Sequence, residues 1–112
     1  MLEKCISDVL EFDRKFNIEE ENKPTYANLF YTGLCITGEA GELVNVIKKI
    51  WRDGDSEELR EQLSEEAVDL VIYICKLISI GKIDFEAAWN RKQKILEERW
   101  NKKVHTKRQV KI

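Results

Sequence analysis

The chain has one proline, Pro24, and five glycines, at 33, 38, 41, 54 and 81, in 112 residues. Breakers this sparse leave long uninterrupted stretches, so helices should dominate. There is one histidine, His105, and the three cysteines, Cys5, Cys35 and Cys75, are widely spaced and form no CxxC pair. That disfavours a zinc site and a disulfide framework, and fits reduced, buried thiols in a cytoplasmic protein. The longest apolar run, Leu70 to Cys75, is six residues, far short of the roughly 18 that a membrane span needs. Met1-Leu2-Glu3-Lys4-Cys5 carries an early acid and leads into no long apolar stretch, so no secretory signal is expected. Excess positive charge is missing too: 19 Lys+Arg against 21 Asp+Glu give a net charge of −2. A nucleic-acid binder working through bulk basicity is excluded, and neither a membrane nor a nucleic acid is expected as partner.

What is present is 43% hydrophobic and 36% charged residues, the balance of one globular domain whose helices have heavily solvated outer faces. The charge is unevenly spread. Residues 101–112 carry Lys102, Lys103, Lys107, Arg108 and Lys111 and no acid, leaving 14 bases against 21 acids before them. An acidic all-α domain over residues 1–103 and a basic tail over residues 104–112 are expected.

Four helices can be read. The first runs from about Leu2 to Asn17, with Ile6, Val9, Leu10, Asp13 and Phe16 at helical spacing. An acidic loop, Glu19 to Pro24, ends it. The second starts near Thr25, a plausible N-cap, and reaches about Arg52, with Leu29, Gly33, Ile36, Ala40, Leu43, Ile47 and Ile50 on one face. Asp53-Gly54-Asp55 is a turn. Ser56 caps the third, whose early acids Glu57, Glu58 and Glu61 meet the positive end of the helix dipole. Gly81 stops it, and Asp84 caps a fourth from Phe85 to about Lys103, after which the tail is expected to fray or to be ordered by a partner.

From Ala67 to Ile78 only Asp69 and Lys76 are charged, so the third helix is apolar almost all round and should be buried on several sides. In so short a chain this points to a homo-oligomer, a dimer or tetramer; a central helix enclosed by the other three is the alternative.

Two acidic pairs interrupt the pattern: Glu39 and Glu42 in Gly38-Glu39-Ala40-Gly41-Glu42, and Glu66 and Asp69 in Glu65-Glu66-Ala67-Val68-Asp69. Residues three apart on a helix share a face, with Cβ atoms about 5–6 Å apart. An antiparallel hairpin centred on Gly54 places Glu39 opposite Asp69 and Glu42 opposite Glu66. Four facing carboxylates repel one another, and a hard, oxygen-seeking cation such as Mg²⁺ or Mn²⁺ resolves the conflict. Solvated stripes on the outside of the hairpin are the competing explanation. On the face of Glu39 lie Tyr31 and Cys35, and Tyr73 follows one turn after Asp69. These aromatics are either core or a stacking surface for a base. Trp51, Trp89 and Trp100 read as packing or interface anchors.

This arrangement resembles the ExxE…ExxD signature of the MazG-like all-α nucleoside triphosphate pyrophosphohydrolases. The surroundings agree: Gly38 to Leu43, Ile47-Lys48-Lys49, Arg52-Asp53-Gly54, Glu65 to Leu70, Tyr73, and Ile83 to Ala88, with Lys92 and Arg99 at the family's basic positions. Leu96 departs from the family, which often has asparagine there. The resemblance covers roughly residues 25–100 and implies a four-helix MazG-like hairpin bundle, oligomeric. It implies Mg²⁺-dependent cleavage between the α and β phosphates of a (deoxy)nucleoside triphosphate, giving the monophosphate and pyrophosphate. Glu39, Glu42, Glu66 and Asp69 would be catalytic metal ligands, with Glu65 orienting one of them. Lys92 and Arg99 would contact phosphates, joined by Lys48 or Lys49, with Tyr31 and Tyr73 at the base. A phosphoribosyl-ATP pyrophosphatase is the related alternative, and a non-catalytic helical interaction module the one from another class.

Overall fold

The computed structural model describes residues 1–16 and 25–110, which form four α-helices: α1 (Leu2–Lys15), α2 (Thr25–Asp53), α3 (Glu57–Ile80) and α4 (Phe85–Val110). The expected acidic loop, Glu19 to Pro24, lies outside the described residues. No strand occurs among them, so the protein is all-α.

The helix boundaries follow from local chemistry. Gly54 makes the α2–α3 turn at φ 94°, a left-handed conformation that glycine adopts without a Cβ penalty. Ser56 is extended, and its Oγ accepts a hydrogen bond from the Leu59 N–H at 3.1 Å, satisfying an amide that α3 leaves unpaired. Gly81 closes α3 as expected, its N–H donating to the Leu77 carbonyl at 2.8 Å, but it stays right-handed at φ −78°. Lys82 takes the positive φ, 51°. Asp84 caps α4 by accepting from the Ala87 N–H at 3.1 Å. Beyond Lys103, where a tail was expected, α4 continues to Val110. No glycine or proline follows Phe85, and Lys, Arg and Gln are good helix formers.

Met1–Lys82 forms one compact unit and Ile83–Ile112 another. In the first, α3 packs against both α2 and α1. Val46 of α2 and Cys75 and Ile78 of α3 are its buried apolar residues. Asp13 of α1 is buried as well, where its Oδ1 meets the Lys76 Nζ of α3 at 3.3 Å. Thus α3 is covered on two sides, while its Val68 and Val71 remain exposed. Trp51, Trp89 and Trp100 are also exposed, so none of the three is a core anchor among the described residues of its own unit. In the second unit α4 carries Phe85 and Trp89 side by side, ring centroids 6.0 Å apart.

Candidate metal centre

Glu39 and Glu42 sit three residues apart in α2, and Glu66 and Asp69 three apart in α3. The turn at Gly54 runs the two helices back along each other, bringing the pairs together. Glu39, Glu42 and Glu66 each offer a carboxylate oxygen within 4.8 Å of the other two. Asp69 is outside this triad but close enough to act on it electrostatically.

The electrostatics are those of crowded negative charge. Glu39 is raised above the ordinary value of 4.5, chiefly by burial, then by the charges of Glu42 and Asp69 and by a hydrogen bond shared with Glu42. Glu66 is raised likewise, by burial first and then by Glu42, Asp69 and Glu39. Every one of these influences pushes upward. Both groups also leave an Oε2 buried with no hydrogen-bond partner among the described residues, an arrangement that disfavours the charged form.

A divalent cation suits these residues. The donors are all carboxylate oxygens, the hard ligands that Mg²⁺ and Mn²⁺ prefer over zinc's nitrogen and sulfur. The three oxygens lie within 4.8 Å of one another, near enough for these side chains to converge on one ion. The two orphaned oxygens would gain the partner they lack.

Beside the carboxylates, the expected aromatic face forms. Tyr31, Cys35 and Glu39 rise one turn apart along α2, and Tyr73 of α3 meets them. Its phenol is pushed up by burial first, then by the Cys35 thiol, Glu39 and Tyr31. Tyr31 is mostly exposed, so it remains accessible to a ligand. Lys48 is exposed and six residues past Glu42, roughly 120° around α2 from it, so it is not brought to the carboxylates. Glu65 is exposed as well. Lys92 and Arg99 are exposed on α4, in the second unit, and their spacing of seven puts them on one face of that helix with Leu96 near them.

One relationship was not anticipated. Lys76 pairs with Asp13 and also sets its Nζ 5.2 Å from the centre of the Tyr73 ring, linking α1 to the aromatic face beside the carboxylates. The signal was there: Asp13 lies in the apolar stripe of α1, and Lys76 is the one cation in the apolar run of α3.

Comparison with known proteins agrees with this geometry. A stretch of 52 residues is 40% identical to the Gene 37 protein of Mycobacterium phage L5, covering 44% of this chain and 46% of that protein. The chain thus spans about half the length of that relative. The family description "MazG nucleotide pyrophosphohydrolase domain" matches residues 31–104. Because that match takes in well over half of the residues and both acidic helices, the chain belongs to the MazG nucleotide pyrophosphohydrolase family.

Proposed function

We propose that the protein hydrolyses nucleoside triphosphates between the α and β phosphates, releasing a nucleoside monophosphate and pyrophosphate, and so removes unwanted (deoxy)nucleotides from the cytoplasmic pool. The observation that carries this reading is the triad of Glu39, Glu42 and Glu66, with the Oε2 atoms of Glu39 and Glu66 buried and unpartnered. Mg²⁺, or Mn²⁺ in its place, would neutralise charge on non-bridging phosphate oxygens and acidify a bound water.

The chain's own residues do the rest by positioning and charge. Glu39, Glu42 and Glu66 hold the ion, and Asp69 adds the fourth carboxylate. The position of Asp69 beside the triad also suits it to orient the attacking water. Tyr73, fixed by burial and by Cys35, and the accessible Tyr31 present ring faces on which a base can stack with little selectivity. Lys92 and Arg99, supported by their place in the family pattern and their shared helix face, take the polyphosphate. The active protein is taken to be a homo-oligomer, a dimer or tetramer.

The test is incubation with a panel of ribo- and deoxyribonucleoside triphosphates and Mg²⁺, following pyrophosphate. Release from at least one, abolished in Glu42→Gln, is expected. No release from any of them at high enzyme concentration overturns the reading.

A further inference from the structure

Helices α1 and α3 leave a cavity between them. On α1 a spacing of four puts Cys5, Val9 and Asp13 on one face with Phe12 beside them, and on α3 it aligns Val68, Ile72 and Lys76. These residues and their neighbours enclose about 530 Å³, within the range of roughly 300–1,000 Å³ in which proteins hold small organic molecules. The cavity lies inside the Met1–Lys82 unit and apart from the metal centre: none of Glu39, Glu42, Glu66 and Asp69 lines it. Its walls are chiefly apolar and reach water, with Phe12 exposed by 56%, Val68 by 58% and Val71 by 44%, whereas Cys75 is only 1% exposed. An apolar body that enters gains by taking this surface out of water.

The polar groups of the cavity are few and unbalanced. Two acids, Asp8 and Asp13, line it with one cation, Lys76. Asp8 is held near the surface by Lys4, Oδ2 to Nζ at 3.2 Å. Asp13 is placed differently. It is only 9% exposed, and its Oδ1 stands 3.3 Å from the Lys76 Nζ, yet that oxygen is buried and accepts no hydrogen bond among the described residues. Lys76 is shared, because its Nζ also stands 5.2 Å from the centre of the Tyr73 ring. A buried carboxylate oxygen short of a donor calls for one.

We infer that this cavity binds a small organic amine, an apolar ring system that covers Val68, Val71 and Ile72 and carries an ammonium that donates to Asp13. The ammonium makes up the missing donor through a charge-assisted hydrogen bond, and the Phe12 ring offers a cation a second favourable surface. The other chemistries fit less well. A ligand carboxylate would meet two acids and only one cation, and that cation is already engaged. A plain hydrocarbon would cover the walls but leave the Asp13 oxygen without a donor. This site is separate from the nucleotide chemistry proposed above and stands or falls without it.

The experiment is titration calorimetry on the full-length chain with three molecules that share one ring: tryptamine, 3-ethylindole and indole-3-propionate. Tryptamine is expected to saturate a single site, roughly tenfold or more tighter than either of the others, the scale of a hydrogen bond to a charged group. Val71→Trp fills the cavity from its exposed wall and should weaken tryptamine by a similar factor with the melting midpoint kept. Asp13→Asn should bring tryptamine down to the level of 3-ethylindole. Tryptamine should also slow alkylation of Cys5 by iodoacetamide, read by peptide mass spectrometry, while Glu42→Gln should leave tryptamine affinity unchanged. If Asp13→Asn fails to fold, Val71→Trp and the Cys5 readout decide. No saturable binding, equal affinity for all three molecules, unchanged affinity in Val71→Trp, or unslowed alkylation of Cys5 overturns the proposal; the first of these means that another part of the chain, or a partner protein, fills the cavity. Loss of binding in Glu42→Gln places the amine at the metal centre and overturns it as well.

Discussion

Glu39 of α2 and Glu66 of α3 offer carboxylate oxygens within 4.8 Å of each other, and each buries one oxygen that has no hydrogen-bond partner among the described residues. Glu42 lies against both and raises the cost of ionising either. A cation bound there would relieve this repulsion.

Substituting Glu39→Gln keeps the shape and removes one charge. The metal-free variant should therefore melt no lower than wild type, while Mn²⁺ affinity falls by roughly tenfold or more, the size of loss a misfitted metal shell brings. Titration calorimetry and melting with and without Mn²⁺ measure the two effects. A metal-induced rise in Tm that survives in Glu39→Gln would count against the site.

The pH dependence has a defined sign. Glu39 and Glu66 are acids raised above their ordinary value of 4.5, so their contribution to stability is full below that value and is lost as pH rises through the folded values. The metal-free midpoint should fall over that range, and saturating Mn²⁺ should flatten or reverse the slope. Asp53 and Asp55, lowered by hydrogen bonds from Arg52 and Arg60, act oppositely and below 3.8, so the windows do not overlap. Melting curves taken across both windows test this.

Lys76→Met keeps the aliphatic stem of the side chain but strands Asp13 with its Oδ1 buried. Breaking such a pair from one side should cost about 3 kcal/mol, whereas the double change Asp13→Leu/Lys76→Met should return close to wild-type stability. Urea titration of the single and double variants provides the measurement.

Ser56→Ala removes the hydroxyl that accepts from the Leu59 N–H and should cost about 1 kcal/mol. The loss should appear as a lower denaturation midpoint with unchanged slope, since the surface exposed on unfolding is the same.

Much of this was legible in the chain before any coordinates. The Ser56 and Asp84 caps, the Gly54 turn and the Gly81 stop are local chemistry, decided within four residues of sequence. The i,i+3 spacing and the position of one turn allowed the acidic pairs to face each other but left solvated stripes on the outside of the hairpin as the alternative. The fate of α3 was less readable. Its apolar run suggested burial on several sides, yet it leaves Val68 and Val71 exposed, and a large exposed apolar surface lies on α2. Composition cannot say which side of a helix its neighbours cover. The end of α4 was misplaced for a related reason: a lack of apolar residues argues against burial but not against helix, and the helix runs to Val110.

The sequence by itself determined the helices, their caps and the placing of Glu39 with Glu42 and of Glu66 with Asp69 on one face of each helix, because each depends on spacing along a regular element. Tertiary structure decided three things. It drew Glu39, Glu42 and Glu66 into a triad with Asp69 beside it, it joined Asp13 to Lys76 across helices far apart in sequence, and it left space beside Gly33 and Gly41 of α2 among the described residues. These depend on how helices approach one another, which is set by side-chain packing across the whole unit and not by any short stretch of residues.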